Sequence, residues 1–381
     1  MNLVYATVFD SNDIRSWSGL GVYYARMLRD AGFEQLTCLS LQKKHFPQSV
    51  VHSLKAKFDE YVLGRKVSPV FTLKQSEHYG RIVDSRVGSG THILSPNTVL
   101  LAPPRKKLKK ILYTDSTLDN LLNFYSNYFS LSEQAISEAQ ELEKQAIDSS
   151  DLLVYTSQWA AEAAIKNYNA DPGKVFIVPF GANIKFVPSF EQVQSIIRER
   201  SIAKHVNLLF LGIDWNRKGG EYAAQVTQKL NDLGIPATLH LAGLSELPPG
   251  LDMKNIIDHG FISKRSVKNE RKLCKLIAES DFLLLPSLAD CTPVAFSEAN
   301  AFALPCLASR VGGHASIIKD GINGRTFPHI HFVEDSVRYI TDLVSREEDY
   351  KELCYSSYNE YINELNWKST GQKISKLIKS I

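Results

Sequence analysis

Two acids eight positions apart, Asp290 and Glu298, draw attention because the residues between them change character. Cys291, Thr292 and Pro293 read as a loop and Ala295 onward as the start of a helix, so one carboxylate is expected before the helix and the other in its first turn. An ionised carboxylate offers up to about four acceptor sites, enough for both hydroxyls of a sugar diol. Glu298 therefore reads as a diol acceptor, and Asp290, nearer the loop, as a group that orients the hydroxyls of a second portion of the ligand. Two other uses stay open: a hydrolytic acid/base couple, which depends on the separation of the two groups in space, and, for Glu298, a buried structural role that would need a cationic partner. Arg217 and Lys218 precede Gly219-Gly220, between the apolar run 207–212 and an amphipathic segment from Glu221 to Leu233. Cations beside flexible backbone at a helix N-terminus suit a diphosphate. Gly312-Gly313 repeats that arrangement after the run PCLAS, whereas the residues from Asp320 to Gly324 are turn chemistry.

The N-terminal half holds weaker candidates. Gly19 and Gly21 stand where a helix begins, as a plain tight turn or as a loop that faces a ligand. Asp115 follows the apolar run KILYT, at the strand edge where open α/β sheets bind ligands, and reads either as a ligand contact or as a helix cap.

These residues need a scaffold. Apolar runs of strand length at 3–9, 35–41, THILSP, TVLLAP, KILYT, 152–156 and 175–179 alternate with helical periodicity over Leu20 to Ala31, 49–65, 130–149 and 157–168. Ser130 with Glu133 has the form of a capping box. The alternation breaks between Phe180 and His205 and resumes with NLLFLG, the loop IDWNRKGG, TLHLAG, NIIDHGF, FLLLPS and PCLAS. This is the pattern of doubly wound parallel sheets, an α/β fold in two halves with a cleft between them. A length of 381 residues agrees with two domains at about 150 residues each. The last helix, Trp367 to Ile378, could pack on either half.

Composition excludes several classes. A hydrophobic content of 44% with 22% charged residues is that of an ordinary globular protein, and no apolar run nears the ~20 residues that span a bilayer. MNLVYATVFD reads as a first strand rather than an export signal, which implies a cytoplasmic location. Five scattered cysteines without a C-x-x-C pair or nearby histidines argue against a disulfide framework or a zinc site. No G-x-G-x-x-G opens a helix after a strand, so a dehydrogenase is unsupported. The net charge is only +3, but Arg105, Lys106, Lys107, Lys109 and Lys110 form a basic run, read as a surface patch that is merely solvated or that meets anionic lipid at the inner membrane face or a phosphorylated acceptor. One such run without interleaved aromatics does not indicate nucleic acid.

Over nearly its whole length the chain resembles the retaining glycosyltransferases of family 4. Asp290-x7-Glu298 stands where the family has Glu-x7-Glu, followed in order by EANAFALPCLAS and VGG…DGING. LGIDWNRKGGEYA resembles the family's phosphate-binding loop and SGLGVYYARML its first glycine loop, while YTDST, TSQWAAEAAI and VPFGAN resemble further landmarks. The resemblance implies a GT-B fold, two Rossmann-like domains facing each other across a cleft. Residues 1–183 would hold the acceptor and 184–365 the donor, with the helix over 366–381 packing back on the first domain. It also implies transfer of a sugar, with retention and without a metal or other cofactor, from a nucleotide-diphosphate donor, UDP- or GDP-linked, to a hydroxyl acceptor in surface polysaccharide, lipopolysaccharide or glycolipid synthesis. Glu298 would bind the ribose, Asp290 the donor sugar, and Lys218 with Arg217 the leaving diphosphate. Gly19, Gly21, Gly212, Phe261, Thr292, Val294, Gly312 and Gly313 would line the nucleotide-sugar site, and Asp115 would take up part of the role of a family histidine. The chain departs from the pattern at Asp290 for glutamate, Ile213 for arginine, Ser316 for glutamate, and Thr114-Asp115 for histidine. These departures keep two alternatives in view: a catalytically degenerate nucleotide-sugar-binding protein, and a GT-B nucleotide-sugar epimerase or hydrolase.

Overall fold

The computed structural model describes residues 2–41, 70–103, 107–122 and 124–381. The helix expected over 49–65 lies outside them. By its internal contacts the chain divides into two units, Met1–Pro179 with Thr370–Ile381, and Phe180–Ser369.

Each unit is built on one six-stranded sheet whose described pairings are all parallel. The first contains β1 (Leu3–Thr7), β2 (Leu36–Ser40), β3 (His92–Ser95), β4 (Lys109–Thr114), β5 (Leu152–Tyr155) and β6 (Val175–Ile177), in the order β2-β1-β3-β4-β5-β6. The second contains β7 (Val206–Leu211), β8 (Ala237–Ala242), β9 (Ile256–Asp258), β10 (Phe282–Leu285), β11 (Cys306–Ser309) and β12 (Gly324–Phe327), in the order β12-β11-β10-β7-β8-β9. A parallel sheet is covered by helices on both faces, so its inner strands must be apolar on both sides. The runs FLLL and CLAS satisfy this, and every residue of β10 and β11 is buried. In the second sheet the chain runs outward from β7 through β8 to β9 and then returns to lay β10 on the other side of β7. That reversal opens a crevice beyond the carboxyl ends of β7 and β10, the place where doubly wound sheets bind ligands.

Four local expectations need correction. TVLL is a helical turn, Thr98–Leu101, not a strand; a four-residue apolar run carries no period that separates the two. The stretch taken as the loop IDWNRKGG contains another such turn, Trp215–Lys218. The helix Glu133–Ser149 is capped by Ser132, whose Oγ accepts from the Ala135 N–H at 3.2 Å, rather than by Ser130. The basic run is not one exposed patch. Arg105 and Lys106 lie outside the described residues and Lys107 is exposed. Lys109 pairs with Asp151 at 3.1 Å, and Lys110, which the strand alternation turns inward, is buried with its Nζ donating to Ser149 Oγ at 3.0 Å.

The helix Trp367–Ile378 crosses the division at Thr370. Within the first unit Thr370 Oγ1 donates to the Pro179 carbonyl at 2.9 Å, and Gly371 lies so near Met27 that a Cβ would stand 3.1 Å from its Cγ. All five cysteines are free and all but Cys38 are buried. Among the described residues no helix is long and apolar enough to cross a membrane.

Candidate functional site

At the crevice of the second sheet the chain leaves β7 through Gly212. Asp214 then caps the turn Trp215–Lys218, its carboxylate accepting from the Arg217 N–H at 3.0 Å. Two glycines set the approach. Gly219 is left-handed, with φ +74, and a Cβ there would meet the Pro286 carbonyl oxygen at 2.0 Å, so only glycine lets this turn rest on the loop that follows β10. At Gly212 a Cβ would lie 3.0 Å from Lys218 Cγ, so its absence makes room for the lysine stem. The Leu288 N–H donates to the Arg217 carbonyl at 2.8 Å, and Arg217 Nη1 donates to the Ala289 carbonyl, also at 2.8 Å. The outcome is an ion pair between Lys218 Nζ and Asp290 Oδ2, with Arg217 Nη1 3.5 Å from the same oxygen. Both partners are largely enclosed, with 11% and 12% of their side chains exposed. Burial pushes the Asp290 carboxyl up, but Lys218, His314 and Arg217 together outweigh it and hold it below its ordinary value.

The next turn of chain ties in the second glycine pair. The Gly313 N–H donates to the Cys291 carbonyl at 2.8 Å, and Gly312 is left-handed at φ +51. Thr292 is buried, and Pro293 precedes the helix Val294–Asn300. The helix starts one residue earlier than expected, so Glu298 is its fifth residue and opens the second turn rather than sitting in the first. Glu298 is buried and forms an ion pair with Lys264, a residue that nothing in the sequence pattern had singled out. This is the cationic partner that a buried glutamate requires. Burial pushes the Glu298 carboxyl up; Lys264 and the Asn183 N–H pull it back without cancelling the rise, and Glu270 adds to it. Glu270 is itself 1% exposed and accepts from the Lys185 N–H at 2.8 Å. His314 is fully buried against the Phe296 ring, its Nδ1 2.8 Å from the Ser309 carbonyl. Burial lowers its pKa to about 4, so the imidazole is neutral at pH 7 and acts on Asp290 only in the acid range. Val294 is partly buried, whereas Phe261 and Ile213 are exposed, at 62% and 71%.

The crevice therefore brings together Gly212, Arg217, Lys218, Asp290, Thr292 and Gly313, with Glu298 on the helix that follows Pro293. The first unit contains the remaining expected residues. Gly19, at φ +83, precedes the helix Leu20–Asp30, and at Gly21 a Cβ would fall 2.7 Å from the Phe9 ring. Both positions are tightly packed, Gly19 against Ile14 and Gly21 against Phe9. Asp115 is partly buried beyond β4, and the cap of the following turn belongs to Thr117, whose Oγ1 accepts from the Asn120 N–H at 3.3 Å. Beside it is a cavity of ≈ 200 Å³ lined by Phe71, Asn97, Thr114, Thr117 and Glu143 among others. Glu143 was not foreseen. It is buried in the helix Glu133–Ser149 and accepts from the Leu118 N–H at 2.8 Å, and burial, aided by Asp119, pushes its carboxyl up to about 8. No group of three or more His, Cys, Asp or Glu side chains among the described residues could hold a metal ion.

Residues 205–346 match the family described as Glycosyl transferases group 1. The chain is 23% identical over 208 residues to a D-inositol 3-phosphate glycosyltransferase of Mycobacterium sp. strain JLS, a match covering 54% of this chain and 47% of the relative. It is 26% identical over 170 residues to the UDP-Gal:alpha-D-GlcNAc-diphosphoundecaprenol alpha-1,3-galactosyltransferase of Escherichia coli, covering 43% of each. The matched chain thus spans about half the length of these curated relatives. Among solved structures, sucrose-phosphate synthase from Thermosynechococcus elongatus superposes with a TM-score of 0.68 at 14% identity, covering 100% of this chain and 98% of that one. Anabaena HepE in complex with UDP superposes with a TM-score of 0.65 at 12% identity, covering 100% of both. At these identities the likeness speaks for the fold, which is GT-B with two Rossmann-like domains.

Proposed function

We propose that the chain is a retaining glycosyltransferase that moves a sugar from a nucleoside diphosphate to a hydroxyl acceptor. The observation that carries this reading is the convergence of Lys218 and Arg217 on Asp290 in the crevice of the second sheet, among glycines that permit close backbone approach. A diphosphate entering there meets two cations already held in place, and their fixed charge is worth most where charge develops on the leaving group. Asp290 orients a hydroxyl of the donor sugar, and Glu298, which has acceptor capacity beyond the Lys264 bond, takes the ribose diol. The bond from the anomeric carbon to the diphosphate oxygen breaks and a bond to the acceptor oxygen forms on the same face. The acceptor proton passes to the departing phosphate, so that Lys218 and Arg217 balance the charge on the product. A UDP-sugar is the first donor to try, because HepE is solved with UDP and with UDP-glucose and the Escherichia coli relative is named for UDP-Gal. The same relative's name includes a lipid-linked diphosphate acceptor, which supports a glycan or lipid-linked hydroxyl acceptor for this chain.

The test is turnover with a panel of UDP- and GDP-sugars, comparing the native chain with Lys218→Ala. Loss of a fixed cation at the developing charge should cost ~100-fold or more in kcat. Unchanged turnover in the variant would sink the assignment. Nucleotide release without any glycoside product would point to hydrolysis or epimerisation, and calorimetric binding of the donor without turnover would point to a degenerate binding protein.

A further inference from the structure

We propose that Lys264 is a positioning residue of the nucleotide site: it holds the buried Glu298 carboxylate in one orientation, so that its remaining acceptor sites face the ribose 2′- and 3′-hydroxyls. This rests on the donor-site reading above and adds to it a residue outside every motif on which that reading stands.

The geometry behind it is specific. Glu298 sits in the body of the helix Val294–Asn300, with no first-turn N–H groups of its own helix to satisfy it. The groups that face it come from three segments. Lys264 lies on the loop after β9, Glu270 and Cys274 on the helix Val267–Ala278, and the Asn183 N–H on the segment that opens the second unit. Glu270 repels the charge on Glu298, and Lys185 is engaged with Glu270 at 3.4 Å. Lys264 is thus the cation committed to Glu298, and with 23% of its side chain exposed it can keep one face toward solvent while its Nζ occupies Oε1. A carboxylate has about four acceptor sites. The lysine and the Asn183 N–H use two and leave two, the number a vicinal diol needs. Without Lys264, burial and Glu270 would both favour the protonated acid, which offers a donor where the ribose needs an acceptor.

The experiment measures the dissociation constants of UDP and of 2′,3′-dideoxy-UDP at pH 6, 7 and 8 for the native chain, Lys264→Met, Lys264→Gln and Lys264→Arg. The ratio of the two constants cancels the ionisation of the diphosphate and isolates the diol. In the native chain that ratio should be roughly tenfold or more, as two hydrogen bonds to a charged group imply, and should depend on pH less than in the variants that lack the cation. In Lys264→Met and Lys264→Gln it should fall toward one, most completely at pH 6, while Lys264→Arg restores it. If Met leaves too little folded protein, the Gln and Arg variants carry the test. An unchanged ratio in folded Met or Gln variants overturns the role of Lys264 and leaves the donor site intact. Tighter UDP binding without the lysine also overturns it, because Lys264 would then occupy the place of the ribose. A native chain that binds no nucleoside diphosphate overturns the donor-site reading itself and this inference with it.

Discussion

The pair Lys218 and Asp290 yields the sharpest test of whether the crevice is built as the structure implies. Removing one member of a buried ion pair strands the other, at about 3–5 kcal/mol. In Lys218→Met the stranded acid keeps Arg217 at 3.5 Å, which places this variant at the lower end, near ~3 kcal/mol. In Asp290→Asn two cations lose their common acid, so its cost should reach the upper end, ~4–5 kcal/mol. The double variant replaces the pair by neutral groups of similar size and should lose only ~1 kcal/mol or less. The singles therefore sum to far more than the double, by ~5 kcal/mol or more, well beyond the few tenths seen for independent sites. Thermal unfolding read by tryptophan fluorescence is a suitable assay, because Trp215 packs on Phe210 in the turn that carries Lys218. A loss of 3 kcal/mol corresponds to about 6–12 °C in a unit of this size. The sign with pH is fixed as well. Asp290 has a folded-state pKa below its unfolded value, so its contribution is fully present above the unfolded value near 3.9 and is lost as pH falls through the folded one. The coupling should be flat from about pH 5 to 8 and shrink below about pH 4. An additive double variant, or a coupling that grows as pH falls below about 4, would refute the pair as drawn.

Two further outcomes follow from the two units separately. Burial raises Glu143 to about 8, so the folded first unit retains a proton that the unfolded chain releases, and stability should fall as pH rises from about 4.5 to 8. Glu143→Gln should flatten that slope and be more stable than the native chain at pH 8 by about 4 kcal/mol, and melting curves with the same slope in both proteins would rule the effect out. Gly219→Ala forces a side chain into left-handed backbone and against the Pro286 carbonyl, at a cost of at least ~1–3 kcal/mol, and should weaken UDP binding by displacing Lys218. Native melting temperature and affinity in this variant would mean that the turn does not rest on the loop after β10.

The architecture was legible because parallel strands buried on both faces must be written as continuous apolar runs, and FLLL, CLAS and NLLFLG could hardly be anything else. Boundaries were less so. TVLL is too short for its period to show, and with Ser130 and Ser132 both near Glu133, composition does not decide which serine turns its oxygen to the helix N-terminus. Lys218, Arg217 and Asp290 were visible because loops between a strand and a helix carry them, and the fold then closes them on one another. Glu143 left a trace that could have been followed: it sits between Leu142 and Ala146 on the apolar stripe of its helix, where an exposed glutamate does not belong. Lys264 left none. It is a single lysine in a loop, 34 positions from the acid it meets, and the pairing exists only because the loop after β9 and the helix after β10 converge.

That convergence changes how the pair of acids should be understood. The sequence sets Asp290 and Glu298 side by side as two similar groups in one motif, but the fold gives each its own lysine and opposite shifts. Asp290 is held below its ordinary value by Lys218, its neighbouring histidine and Arg217, whereas Glu298 remains above its ordinary value despite Lys264. An aspartate is one methylene shorter than the glutamate expected at position 290, and here the shorter acid already reaches both cations, because Gly212 and Gly219 let the Lys218 turn come up to the loop. Asp290→Glu would drive its carboxylate about 1 Å further into Lys218 and Arg217. The shorter acid and the close approach of the cation turn are therefore complementary features of one ion-pair cluster.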